Sequence, residues 1–123
     1  MTTIIYICGL YSIGFALFHI AFWSIFNWKK YLPKLNFANK AIMQIFNVQA
    51  IYYFLFIAFV CFYCPLELQS TTLGKIFLGG TSLFWLIRTI NQLIFLPVND
   101  MRVHILTILF ILGTVLFALP LFL

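Results

Sequence analysis

Four long apolar runs alternate with short polar breaks along the chain. They extend from about Thr3 to Asn27, from Ile42 to Cys64, from Lys75 to Leu96 and from Val103 to Leu123. The breaks hold residues that end regular structure or prefer water: Trp28-Lys29-Lys30-Tyr31-Leu32-Pro33-Lys34, then Pro65 through Gly74, then Pro97-Val98-Asn99-Asp100. Each run has the roughly 20 residues that a helix needs to cross a hydrocarbon core of about 30 Å. The runs lack the alternation of barrel strands, and open sheet edges cannot sit in hydrocarbon. The pattern predicts an all-α integral membrane protein: four transmembrane helices in a compact up-down bundle, one domain over residues 1–123, with no soluble domain.

Composition sharpens this reading. The 123 residues are 65% hydrophobic, 20% aromatic and 7% charged, against about 25% charged in soluble domains, so a water-exposed surface cannot be covered. The formal net charge of +5 suggests nucleic acid in a soluble protein. Here the basic residues sit between apolar runs, so no nucleic-acid partner is expected. Lys29, Lys30, Lys34 and Lys40 fall in the first connection and Arg102 follows the third, whereas the second offers only Lys75. The positive-inside rule puts the first and third connections in the cytoplasm and both termini outside, with a bacterial inner membrane as the expected location. Met1 to Tyr6 contains no basic residue and no small-residue cleavage site follows, so the first run reads as a retained span. Trp23, Trp28 and Tyr31 suit an aromatic belt at the inner interface. Ser70, Thr71 and Thr72 can cap the third helix, and Gly14, Gly79 and Gly80 are candidate points of close helix contact.

Polar residues inside a span are costly and are functional-site hypotheses by default. Arg88, Asn91 and Gln92 stand at i, i+3 and i+4 and are expected on one helical face. Gln44 and Asn47 share a face of the second helix, and His19 stands on the first. At a rise of about 1.5 Å per residue, Arg88 and His19 are each about 12 Å from the inner ends of their runs. Arg88, His19, Gln44, Asn47, Asn91 and Gln92 are therefore expected to form a cytoplasm-facing polar pocket. The only carboxylates, Glu67 and Asp100, lie in connections. Amides can surround a guanidinium but cannot cancel its charge, so the anion is expected from a small ligand, a membrane lipid headgroup or a partner subunit.

Gln49 and His104 form a secondary polar set. Gln49 points away from the Gln44 and Asn47 face with Tyr52 and Tyr53, which suggests a homodimer or a partner in a membrane complex. A haem between His19 and His104 would need both at one level, yet their depths differ by about 10 Å. No set of Cys, His and carboxylate residues has metal-ligand spacing. No cofactor, haem, quinone or metal is therefore predicted. Hydrolase and nucleotide-binding motifs are missing from the sequence, which favours a binding or transport protein over an enzyme, with an assembly subunit as the alternative.

A third reading comes from the cysteines. Cys61 and Cys64 form a CxxC at the outer end of the second run, and Cys8 lies near the outer end of the first. Neighbouring thiols can close a disulfide. A four-helix layout with an outer CxxC resembles that of quinone-linked disulfide oxidases, in layout only, because this chain lacks their second cysteine pair in a long outer loop.

Overall fold

The computed structural model describes residues 2–122. It is all-helical, and no strand occurs among the described residues. Helix α1 spans Thr2–Ile20, followed by two single-turn helices, α2 (Phe22–Ile25) and α3 (Trp28–Tyr31), and a 3-10 turn at Leu32–Lys34. Then come α4 (Phe37–Tyr63), the short α5 (Pro65–Ser70), α6 (Thr72–Phe95) and α7 (Met101–Phe122). Four of these, α1, α4, α6 and α7, are long and apolar enough to cross a membrane.

Caps set where the long helices begin. Apolarity alone placed the second run at Ile42, but α4 starts at Phe37 because the Asn36 side chain accepts the Asn39 amide at 2.8 Å. Likewise α6 starts at Thr72 rather than Lys75, since the Thr71 hydroxyl accepts the Gly74 amide at 2.9 Å. Asp100 accepts the Arg102 amide at 2.8 Å and starts α7 at Met101 rather than Val103. In each case a side-chain oxygen satisfies an amide that the first turn leaves free.

The first run ends less simply than its composition suggests. Helix α1 stops at Ile20, but Ala21 still donates to the carbonyls of Leu17 and Phe18, and Ile25 donates back to Ala21. Helical bonding thus continues past the break until Asn27, whose φ of 53° is left-handed. Asn tolerates that conformation better than other non-glycine residues, and the chain turns there.

The chain divides into two compact units: the described residues of Met1–Cys8 with those of Cys61–Leu123, and Gly9–Val60. In the first, α6 and α7 pair antiparallel. Ser82 donates to the Thr114 carbonyl at 2.7 Å, Trp85 stacks on Phe110 with centroids 5.7 Å apart, and Gln92 donates to the Val103 carbonyl at 3.3 Å. Rising numbers on α6 meet falling numbers on α7. Leu78, Trp85, Phe110 and Phe117 are buried along this pair. The N-terminal turns of α1 join the same unit, through a Cys8 thiol donating to the Leu116 carbonyl at 3.3 Å and a Gln69 amide donating to the Thr2 hydroxyl at 2.9 Å. In the second unit the buried residues include Ser12, Phe15, Ala16, Trp28, Leu32, Asn47, Phe54, Ile57 and Ala58.

The glycines expected at close helix contacts do not provide them. A Cβ at Gly14 or Gly80 would meet no heavy atom within 4 Å, and one at Gly79 would meet only a flexible end of Leu121 at 3.6 Å. A close approach is found at Gly74: a Cβ there would run into the backbone of Glu67 and Leu68, where α5 lies against the first turn of α6.

Candidate functional site

The six residues expected around an anion divide between the two units. Arg88, Asn91 and Gln92 belong to the first, and His19, Gln44 and Asn47 to the second.

In the first unit Arg88 is half-buried on α6. Its Nη1 donates to Gln92 Oε1 at 3.1 Å, and its Cζ lies 4.5 Å from the centroid of the Phe110 ring on α7. Such a cation–π contact is worth about 0.5–2 kcal/mol, depending on how dry it is. Phe110 is itself held by Trp85 on its other contacts, the two rings being only 20° from parallel. Gln92, 1% exposed, uses its amide nitrogen on the Val103 carbonyl. That carbonyl also accepts the Thr107 hydroxyl at 2.9 Å. The guanidinium is thus oriented by an amide and an aromatic face, and neither Glu67 nor Asp100 is among its partners. Asp100 instead caps α7. Asn91 is exposed.

One turn beyond Arg88, Gln92 lines a cavity of about 310 Å³ between the end of α6 and the start of α7. Leu93, Leu96 and Val103 give it apolar walls, and His104 and Thr107 add polar groups. The exposed His104 ring bonds through Nε2 to Asn99 Oδ1 at 2.8 Å. Phe110, Val103 and Thr107 carry no signal in the sequence beyond apolar or hydroxyl character. Only the pairing of α6 with α7 brings them to Arg88 and Gln92.

In the second unit His19 sits in the last turn of α1, where its Nδ1 donates to the Phe15 carbonyl at 2.8 Å. Its ring stacks on Phe22 at 4.4 Å and lies 5.2 Å from Phe54. The bond ties the ring to its own helix one turn back, on a carbonyl that α1 also pairs internally. Gln44 is half-buried and donates to the Lys40 carbonyl at 3.2 Å. Asn47 is 7% exposed, and its Oδ1 has no hydrogen-bond partner among the described residues. A buried acceptor in that state costs about 1–3 kcal/mol. Gln49, Tyr52 and Tyr53 are exposed along α4.

Cys8, Cys61 and Cys64 are thiols outside any disulfide, the first two buried. Cys64 lies beyond the end of α4 beside the Glu67 carboxylate, which favours the protonated thiol and repels the thiolate. Its pKa is raised. Thiolate is the reactive form, so the pH midpoint of maleimide labelling at Cys64 is expected above the usual thiol value of about 8.5. Glu67→Gln is expected to bring it down. A wild-type midpoint at or below the usual value, or one unmoved by the substitution, contradicts this account. Among the described residues no group of three or more His, Cys, Asp or Glu could hold a metal ion.

The fold and site define an all-helical protein with four helices of membrane-spanning length and an arginine held between an amide and an aromatic ring. No known protein family, curated protein or solved structure matches the chain.

Proposed function

We propose that this is a small membrane-embedded binding or transport protein, in which Arg88 receives the anionic group of a ligand or lipid headgroup. Its four long helices cross the bilayer as an up-down bundle, and the first and third connections face the cytoplasm, where the basic residues lie.

One observation carries the proposal: a half-buried guanidinium whose partners are Gln92 and Phe110. These orient the fork and leave its charge uncancelled. An arginine at a helix centre costs about 2.5–3.5 kcal/mol to insert, and a planar fork suits bidentate carboxylate or phosphate. The 310 Å³ cavity one turn away is lined by Gln92, the residue that Arg88 bonds, and has apolar walls. Its size is at the lower end of ligand pockets, about 300–1,000 Å³.

Arg88→Gln is expected to lose one bound phosphatidylglycerol or inorganic phosphate per chain in native mass spectrometry, while keeping its helical content. The affinity loss is expected to be about 10–150-fold, the worth of a hydrogen bond to a charged group at about 1.5–3 kcal/mol. Equal retention by wild type and Arg88→Gln removes the support for this function.

A further inference from the structure

The connection between α1 and α4 carries charge that nothing in its own unit offsets. Lys29, Lys30 and Lys34 are exposed, and residues 9–60 contain neither Asp nor Glu. Two of the lysines meet on one side chain: the Nζ atoms of Lys30 and Lys34 lie 5.3 and 5.2 Å from the centroid of the Tyr31 ring. The ring attracts each ammonium, but the two cations repel each other. An anion beside Tyr31 relieves that repulsion and gains from both.

The same segment has the apolar half of an interfacial anchor. Trp28 and Leu32 are buried at 7% and 2% exposure and hold the segment to its unit. Trp23, 5.8 Å from the Trp28 ring, is 45% exposed, and Ile25, Phe26 and Leu35 also expose large apolar side chains. Tryptophan and tyrosine favour the headgroup level of a bilayer, and lysine beside apolar side chains is the pattern of segments that lie in that interface. The apolar flank favours a bilayer over a nucleic acid, which would leave it in water.

We infer that residues 22–34 dock onto the phosphodiester headgroups of anionic phospholipids, with Lys30 and Lys34 making the headgroup contact around Tyr31 and Trp23 entering the acyl boundary. Docking of this kind sets the depth of the connection and holds the end of α1 and the start of α4 at the anionic leaflet. It is independent of the Arg88 site.

The test reconstitutes the full chain in phosphatidylcholine vesicles containing either brominated phosphatidylglycerol or brominated phosphatidylcholine, and reads tryptophan quenching. Trp23 reports on the segment, whereas Trp85, 2% exposed, is shielded. Wild type is expected to be quenched preferentially by the brominated anionic lipid, and less so at high salt. Each basic residue near an anionic surface contributes about fivefold, so Lys30→Gln with Lys34→Gln is expected to lower the preference by about 30-fold. Lys30→Arg with Lys34→Arg is expected to keep it. Equal quenching by the two lipids, or a preference unchanged in the double glutamine variant, overturns the inference. So does a preference abolished by millimolar inorganic phosphate at constant ionic strength, which would mark a free-anion site instead.

Discussion

Gly74→Ala is expected to destabilise the protein by about 1–3 kcal/mol, the cost of overpacking a site that cannot open. The added methyl meets the backbone of Glu67 and Leu68, and backbone cannot move aside as the end of a side chain can. Either α5 shifts off α6, breaking the turn that Thr71 caps, or the first turn of α6 unwinds. Gly80→Ala is the matched control. It lies in the same helix, it is exposed, and its Cβ meets nothing within 4 Å, so the better helix propensity of alanine leaves stability unchanged or slightly raised. Thermal unfolding followed by circular dichroism in detergent separates the two. If Gly74→Ala unfolds at the wild-type temperature, α5 does not pack against α6 as described.

The contrast between these glycines shows what the sequence could and could not reveal. Run length and polarity marked the four long helices, because a continuous apolar stretch of about 20 residues has few other solutions. Thr71 was legible as a cap of the third long helix and does cap it, whereas Asn36 and Asp100 were not weighed as caps above the apolar pattern. Glycine contact was expected at Gly14, Gly79 and Gly80, since small residues inside apolar runs are the usual points of approach. The close approach found at Gly74 depends on α5, a helix of six residues in what reads as a connection.

The candidate site divides in the same way. Arg88 was legible because a charge inside an apolar run has a cost, and Gln92 because it stands four residues on. Asn91 at i+3 shares the helix with Arg88 and is exposed, a difference in burial that spacing alone does not reveal. Phe110 was not legible, because a phenylalanine in an apolar helix carries no mark of the cation it meets. Its role follows from the antiparallel pairing of α6 with α7. His19 could be read from sequence as a site residue or a structural one, and its bond to the Phe15 carbonyl at 2.8 Å was not legible there, since it depends on the ring's orientation.

The second large effect is expected at Gln92, where Gln92→Glu supplies the anion from within the chain. Its carboxylate takes the place of the Oε1 that Arg88 already reaches at 3.1 Å. The amide donor to Val103 is lost, but that carbonyl keeps the Thr107 hydroxyl. A paired arginine no longer needs an external anion, so Gln92→Glu is expected to fold and to lose anion binding by about 10–150-fold, as Arg88→Gln does. Adding Arg88→Gln to Gln92→Glu leaves a buried carboxylate alone, at a cost of about 3–5 kcal/mol if it stays charged.

Arg88 and Arg102 are the only arginines in the chain, so the Nε–H resonance of Arg88 can be assigned by comparison with Arg102→Lys. Titrating inorganic phosphate and short-chain phosphatidylglycerol into nitrogen-15-labelled protein, wild type and Gln92→Glu, reads the guanidinium itself. The account predicts a saturable shift of the Arg88 signal in wild type with at least one of these anions, and none in Gln92→Glu, whose Arg88 already resembles the bound state. An Arg88 signal that ignores both anions in wild type, or that shifts alike in the two proteins, contradicts it.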